Sequence, residues 1–411
     1  MLLVYGKGKT GKSVYNFCIK HGIDVVNVDD EDFNSEILNK VSKIVVSPGI
    51  AFYHRIYTEA RRRNIPIISD IEFAYQFYKG KIIAITGTDG KTTTSSLIYE
   101  ILKSAGLDCY IGGNYGIPFI DIVDHSEDNT ICVLELSSFQ LYSTQKFKPN
   151  IALILNIDTD HLDWHKKRIH YVLSKLKITK NQTKKDYLII KENLKNCIKT
   201  QAKVIPIDIN SYIDKNNEDI LKIDDFSLNH KDIKLKGVHN LENIIFAIKT
   251  AKILNIENNI IINAIKNFQP LEHRLEFVKK IKEVEFYNDS KSTTVQATKM
   301  ALHSFNTDVV LILGGVDKGG DFSQLTSILK NKAKAVILIG KDKYKISKQL
   351  GFEKIYSAET LEEAVKLAYN LALPNGTVLF SPGCASFDMF KNYQDRGNKF
   401  KAIVENLNEE I

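Results

Sequence analysis

Short apolar runs alternate with amphipathic stretches along most of the chain. Leu2–Tyr5, Val25–Val28 and residues 44–46 are runs too short for helices, and the last leads into Ser47-Pro48-Gly49. Such runs between polar, helix-period segments read as buried strands of a parallel α/β fold. A second group opens with the strand Lys81–Thr86 and a helix over 92–105, followed by strands at Ile131–Glu135, 151–156, 187–190 and 204–207. Residues 171–178 read as a short helix carrying Lys175. Alternation over 226–235 around Asn229-His230-Lys231 predicts an antiparallel hairpin, and two helices, 239–254 and 258–268, end at Pro270. The third group has strands at 284–287, 309–313, 336–339 and 378–381 with helices between them. The pattern predicts three α/β segments, residues 1–80, 81–271 and 272–411.

At about 150 residues per domain, 411 residues suit two or three domains. Hydrophobic residues make up 44% and charged residues 26%, with 8 prolines, which excludes a disordered chain. No apolar run reaches the ~18 residues of a membrane span, and the N-terminus runs straight into a strand and glycine turn rather than a secretory signal. Cys18, Cys109, Cys132, Cys197 and Cys384 form no CxxC pair, so a reducing cytoplasm is expected, without disulfides or zinc. The net charge of +7 suits an anionic substrate; the lysines are scattered rather than striped with aromatics, so nucleic acid is not expected.

Two glycine-rich loops compete for phosphate. Gly6-Lys7-Gly8-Lys9-Thr10-Gly11-Lys12-Ser13 fits both the nucleoside-triphosphate P-loop and the GxGxxG dinucleotide turn, and Asp29 stands where a ribose-binding acid would. Thr86-Gly87-Thr88-Asp89-Gly90-Lys91-Thr92-Thr93-Thr94 lacks the first P-loop glycine, since Ile85 occupies that place. It nevertheless lies between an apolar strand and an amphipathic helix. There Lys91 can reach β- and γ-phosphates and the Thr92 hydroxyl can ligate Mg²⁺. Glu135 ends the next strand, within Glu135-Leu136-Ser137-Ser138-Phe139-Gln140, where a carboxylate suits the same Mg²⁺. Asp158, Asp160, His161, Asp163, Trp164 and His165 follow the next strand, and His161 is the candidate ligand among them. Nothing in the pattern distinguishes Lys175 from a surface lysine.

The segments TGTDGKTTT (86–94), ELSSFQL (135–141), His161–Trp164 and Gly237-Val238-His239-Asn240-Leu241-Glu242-Asn243 resemble, in this order, the Mur ligases, which are cytoplasmic ATP-dependent amide-forming enzymes of peptidoglycan precursor synthesis. His273-Arg274-Leu275-Glu276, Asn288-Asp289-Ser290-Lys291 and Ser381-Pro382-Gly383-Cys384-Ala385-Ser386 are similar to the branch that adds D-glutamate to UDP-N-acetylmuramoyl-L-alanine. The resemblance implies a Rossmann-like N-terminal domain for the UDP end, a P-loop ATPase-like central domain and a Rossmann-like C-terminal domain that closes over the acceptor. It places Gly87, Thr88, Asp89, Gly90, Lys91, Thr92 and Thr93, with Asn240, Asn243, Arg274 and Asp289, at ATP. It gives Thr92, Glu135, His161 and a carbamylated Lys175 to two Mg²⁺ sites. Lys9, Thr10, Asp29, Ser47 and Gly49 would meet the UDP moiety, Asn114 and Ser137 the muramoyl part, and Lys318, Ser386, Phe387 and Tyr393 D-glutamate. Lys91, His161, Lys175 and Lys318 would carry the catalysis, in a monomer. One departure is the run Asp29-Asp30-Glu31, where a non-acidic residue often follows the aspartate. The alternatives are a folylpolyglutamate synthase-like ligase, a nicotinamide-dependent oxidoreductase using Gly6–Gly11, or a nucleotide-binding regulator without catalysis.

Overall fold

The computed structural model describes residues 1–407 apart from 159, 215, 216, 218, 219, 236, 270, 306 and 307, with only the backbone of Leu162, Asp163, His230 and Val238. Pro270 and the Asp163 side chain therefore lie outside the described residues.

The predicted α/β class holds. The first sheet runs β2 (Val25–Val28), β1 (Leu2–Tyr5), β3 (Lys43–Val46), β4 (Ile67–Ser69), all parallel. The second has the order β10-β9-β8-β5-β7-β6, again all parallel. Its strands are β5 (Lys81–Thr86), β6 (Cys109–Gly113), β7 (Ile131–Glu135), β8 (Ile151–Ile154), β9 (Tyr187–Lys191) and β10 (Lys203–Ile207). A separate antiparallel hairpin pairs β11 (Ile220–Ile223) with β12 (Phe226–Asn229). The last sheet runs β13-β14-β18-β15-β16-β17, where only β13 (Glu276–Ile281) is antiparallel to its neighbour β14 (Val284–Asn288). The others are β15 (Val309–Gly314), β16 (Ala333–Ile339), β17 (Ile355–Ser357) and β18 (Thr377–Phe380). The central strands are buried on both faces, as their unbroken apolar runs require.

The hairpin stands earlier in the chain than the alternation predicted. Its turn is Asp224-Asp225, with Asp224 at φ 52°, a left-handed conformation that aspartate tolerates. Residues 229–231 instead make a local turn in which the Asn229 side chain accepts the Lys231 N–H at 2.9 Å. β4, β6, β13 and β17 are edge or short strands that the apolar pattern did not mark.

The chain forms two compact units, Met1–Ile233 with Glu242–Phe268, and Lys234–Leu241 with Gln269–Ile411. Within the first unit a buried carboxylate joins the two sheets' surroundings. Glu72, on the helix Asp70–Tyr75, accepts the N–H groups of Gln145, Lys146 and Phe147 at 2.9, 2.8 and 2.9 Å. A buried carboxylate is tolerable only when so satisfied. Glu72→Ala would strand three N–H groups and is expected to cost about 2–4 kcal/mol. A thermal unfolding midpoint within a degree of wild type would contradict this.

Candidate active site

The loop after β1 closes tightly on the segment after β3. A Cβ at Gly11 would stand 1.8 Å from the Gly6 carbonyl oxygen, so only glycine fits there. The helix Lys9–Lys20 begins at Gly8 with no side-chain cap, which leaves its first N–H groups for a ligand. This loop forms one wall of a cavity of about 480 Å³ lined by Gly6, Lys9, Thr10, Ser47, Gly49 and Asn114, among others. Lys9, Thr10, Ser47, Gly49 and Asn114 are five of the residues singled out for the UDP-linked substrate. Asp29 and Lys12 are not among the lining residues, whereas Gln140, Pro48 and Pro118 are. Lys9 Nζ donates across the cavity mouth to the Gly116 carbonyl at 3.1 Å.

The second loop has the same construction at the end of β5. The helix Lys91–Ser104 starts at Gly90, which has φ 81° and no side-chain cap. A Cβ on Gly90 would also stand 2.4 Å from Asn243 Oδ1. Asn243 Oδ1 accepts the Thr94 hydroxyl at 3.2 Å, so this asparagine packs directly on the loop and helix start. Lys91 Nζ turns back onto the loop and donates to the carbonyls of Gly87 (2.9 Å) and Thr88 (2.7 Å).

Lys175, which no pattern distinguished, is fully buried and donates to the Gly87 carbonyl at 2.7 Å and to Thr86 Oγ1 at 3.5 Å. Its Nζ lies 4.6 Å from the centre of the Tyr171 ring. Burial, reinforced by the Lys91 ammonium, holds its amine well below the usual lysine range, against the pull of Asp160, Asp89 and Glu135. The Tyr171 hydroxyl in turn meets Thr88 Oγ1 at 2.9 Å.

Glu135 at the end of β7 has one oxygen on Asn114 Nδ2 at 2.7 Å, while its buried Oε2 has no protein partner. A desolvated carboxylate oxygen of this kind suits a cation. After β8 the Asp158 N–H donates to Thr88 Oγ1 at 2.9 Å, bringing the acidic segment against the loop. His161 has φ 52°, an exposed ring 4.7 Å from that of Phe139, and Nε2 3.3 Å from Asp160 Oδ2. His165 is instead buried, with Nε2 2.9 Å from Ser138 Oγ. No group of three or more His, Cys, Asp or Glu side chains able to hold a metal occurs among the described residues. The set Thr92, Glu135, His161 and Lys175 contains two residues of those types. Ser137 caps the helix Ser138–Tyr142 in a capping box with Gln140.

In the second unit, Asp289 follows β14 and accepts the Ser381 hydroxyl at 2.7 Å and the Leu275 N–H at 3.3 Å. Burial pushes its carboxyl up to about 6 despite these bonds. Arg274 stands next to Leu275, and Asn240 is buried in the 234–241 segment. The loops after β15 and β18 are joined by reciprocal Val316–Ala385 bonds of 2.9 and 3.0 Å. That places exposed Lys318 and Phe387 and buried Ser386 in loops joined at the carboxyl ends of two adjacent central strands. Asp317 folds the Lys318 turn by accepting the N–H groups of Gly319 and Gly320 at 2.9 and 2.7 Å. The Tyr393 ring lies 3.9 Å from Lys291 Nζ. Arg396 lay in no motif. Its buried guanidinium donates to the Ser290 carbonyl (2.8 Å), Ser290 Oγ (3.0 Å) and the Cys384 carbonyl (3.1 Å), tying the 288–292 segment to the 382–386 loop. The available signal was an arginine in a chain that otherwise favours lysine.

Residues 85–258 match the family model described as Mur ligase middle domain, and residues 273–384 that described as Mur ligase, glutamate ligase domain. The chain is 40% identical over 408 residues to the UDP-N-acetylmuramoylalanine--D-glutamate ligase of Aquifex aeolicus, covering 98% of each. It is 41% identical over 410 residues to the protein of that name in a Hydrogenobaculum species, again covering 98% of each. A solved pseudomurein peptide ligase type C from Methanothermus fervidus superposes with a TM-score of 0.63 over 99% of this chain and 100% of that one; at 18% identity this shows a shared fold.

The buried Lys175 makes stability depend on pH. Because its folded pKa lies below the unfolded value near 10.5, the unfolded chain binds more protons between the two, so stability rises with pH across that window. In CO₂-free buffer, wild type is expected to gain on Lys175→Met as pH climbs towards 10.5. Parallel denaturation curves for the two proteins at every pH would refute the burial argument.

Proposed function

The chain belongs to the Mur ligase family, and from that premise we propose that it is the member that joins D-glutamate to UDP-N-acetylmuramoyl-L-alanine, converting ATP to ADP and phosphate. The observation that carries this reading is the near-full-length identity to ligases named for that reaction, over 98% of both chains. The cavity beneath the first glycine loop supports it, because a UDP-linked sugar needs a phosphate cradle that is separate from the ATP loop.

The chemistry follows from the leaving group. A carboxylate does not acylate an amine at neutral pH, so the terminal alanine carboxylate first takes the γ-phosphoryl group of ATP to give an acyl phosphate. The D-glutamate amine attacks that carbonyl carbon, and the tetrahedral oxyanion collapses to amide and phosphate. Catalysis is then largely positioning and charge neutralisation. Lys91 leaves the Gly87 and Thr88 carbonyls to meet the phosphates beside the uncapped helix start, with Gly87, Thr88, Asp89, Gly90, Thr92 and Thr93 forming the cradle. Asn243, packed on the loop, adds to that cradle; Asn240, Arg274 and Asp289 belong to the second unit and are assigned to the nucleotide by the family resemblance alone. Lys9, Thr10, Ser47 and Gly49, which line the cavity, hold the UDP end, with Asp29 assigned to it by the resemblance but outside that lining, and Asn114 and Ser137 hold the muramoyl end. Lys318, Ser386, Phe387 and Tyr393 hold D-glutamate. Bound Mg²⁺ supplies neutralisation of phosphate charge. Thr92, the orphaned Glu135 Oε2, His161 and a modified Lys175 would hold it in two sites.

An uncharged lysine amine is the form that adds to CO₂: the N–C bond forms, a proton leaves, and the product is a carbamate. The burial of Lys175 favours that form, and a carbamate replaces a misplaced cation with an oxygen ligand. Domain boundaries near 80 and 271, and a monomeric state, belong to the same proposal.

Phosphate release is expected to require ATP, Mg²⁺, UDP-N-acetylmuramoyl-L-alanine and D-glutamate together, and to fall when CO₂ and bicarbonate are removed. Equal release without D-glutamate, or with L-glutamate and folate, would sink the assignment. The two glycine loops give a further contrast. Lys91→Ala is expected to cost about three orders of magnitude or more in turnover, while binding of the UDP substrate stays within about twofold. Lys12, exposed and outside the cavity lining, should affect turnover little when changed to alanine. An inactive Lys12→Ala beside an active Lys91→Ala would reverse the roles of the loops.

A further inference from the structure

The carboxamide of Asn156 lies against the second glycine loop, and none of the roles above uses it. It follows β8, and its Oδ1 accepts the N–H of Thr88 at 2.9 Å and that of Asp89 at 2.8 Å. Its Nδ2 donates to the Asp89 carbonyl at 3.1 Å, and its own backbone carbonyl accepts the Thr88 N–H at 3.1 Å. The fit is close: a Cβ on Gly87 would stand 3.1 Å from Leu155 Cβ and 3.4 Å from the Asn156 nitrogen. One side chain therefore fixes the arch over residues 87–89. The carbonyls of that arch are the ones that seat the two amines, Gly87 for Lys91 and Lys175, and Thr88 for Lys91.

We infer that Asn156 is a positioning residue for ATP. It anchors the arch so that Lys91, Lys175 and the uncapped start of the helix Lys91–Ser104 are held in register for the phosphates. The task needs two acceptor lone pairs on one atom and a donor on its neighbour, which a carboxamide has and a hydroxyl or carboxylate lacks. A carboxylate would also set a negative charge against the Asp89 carbonyl and beneath the phosphates. The inference rests on the reading of this loop as the ATP site.

The test uses the full chain with Asn156→Ala and Asn156→Asp. It measures calorimetric binding of Mg²⁺-ATP and of UDP-N-acetylmuramoyl-L-alanine, thermal midpoints, and KM and kcat for ATP. Asn156→Ala is expected to weaken ATP binding about tenfold or more and lower kcat about a hundredfold, through the lost bonds and the displaced amines. Affinity for the UDP substrate should stay within about twofold of wild type. Should the alanine variant fail to fold, the near-isosteric Asn156→Asp keeps both accepted bonds. It is expected to fold, with a thermal midpoint somewhat below wild type from the lost bond to the Asp89 carbonyl, and to bind ATP more weakly. Wild-type ATP affinity and kcat in either folded variant, or an equal loss for both ligands, would overturn the inference. A wild-type protein that does not bind Mg²⁺-ATP would sink the site reading beneath it.

Discussion

Parallel strands cannot be joined by tight turns, so each connection must leave the sheet, cross a face and return. Where the strand order reverses, neighbouring connections depart to opposite faces and leave the carboxyl ends of two strands open between them. This happens at β1 and β3 in the first sheet, at β5 and β8 in the second, and at β15 and β18 in the third. The cores record it directly. Val14 and Phe17 of the helix after β1 belong to one apolar cluster, and Ile56 and Ala60 of the helix after β3 belong to another. In the third sheet, Ile328 and Leu329 lie on one face and Phe400 and Val404 on the other. Each opening receives a loop with chemistry in it: Gly6–Gly11 with Ser47, Gly87–Thr92 with Asp158, and Lys318 with Ser386. The sites are thus consequences of strand order before they are consequences of particular side chains.

Within the second opening, the Gly87 carbonyl accepts from two lysine amines. Burial is the main penalty on the Lys175 ammonium, and the Lys91 ammonium on the same oxygen adds to it. That is why Lys175 departs from an ordinary lysine while lying on a helix whose pattern is unremarkable. Its environment is made by residues far away in sequence: Thr86 and Gly87 below it, Tyr171 one turn before it, and Lys91 opposite.

The sequence therefore exposed what is local and concealed what is assembled. Strands such as Lys81–Thr86 and Ile131–Glu135 were legible because burial on both faces demands unbroken apolar runs. Edge strands such as Glu276–Ile281, partly or fully exposed at every position but the last, left no comparable run. The hairpin was displaced because Asp224 can adopt a positive φ that a periodicity argument ignores. Glycine loops were legible through the turn chemistry of Gly11 and Gly90. The residues that brace them were not: Asn156 reads as a strand end, and Arg396 as one charge on a polar helix, until their partners are known. Lys175 became visible through a family resemblance alone, since burial against Gly87 has no sequence period.

The acidic run beside the first loop shows the same dependence on assembly. Asp29-Asp30-Glu31 next to a phosphate cradle would oppose an anionic ligand if its charges faced it. Asp30 is instead engaged by the Tyr5 hydroxyl at 2.8 Å and by His54 Nε2 at 2.9 Å, with Arg55 Nη2 on its carbonyl at 3.0 Å. His54 Nδ1 accepts the Ile56 N–H, which fixes the donor on Nε2 and directs it to Asp30. Asp29 Oδ1 accepts the Glu31 N–H at 3.2 Å, and Lys7 pairs with Asp32 at 2.5 Å. These carboxylates are therefore used to fold the 29–32 turn onto the helix Arg55–Arg62 and the first loop, and none of residues 29–32 lines the cavity. The cavity is instead lined by the basic Lys9, the uncapped start of the helix after Gly8, and the uncharged polar side chains of Thr10, Ser47, Asn114 and Gln140. An acidic run that looks incompatible with phosphate in one dimension becomes, once paired, part of the frame that holds the basic loop in place.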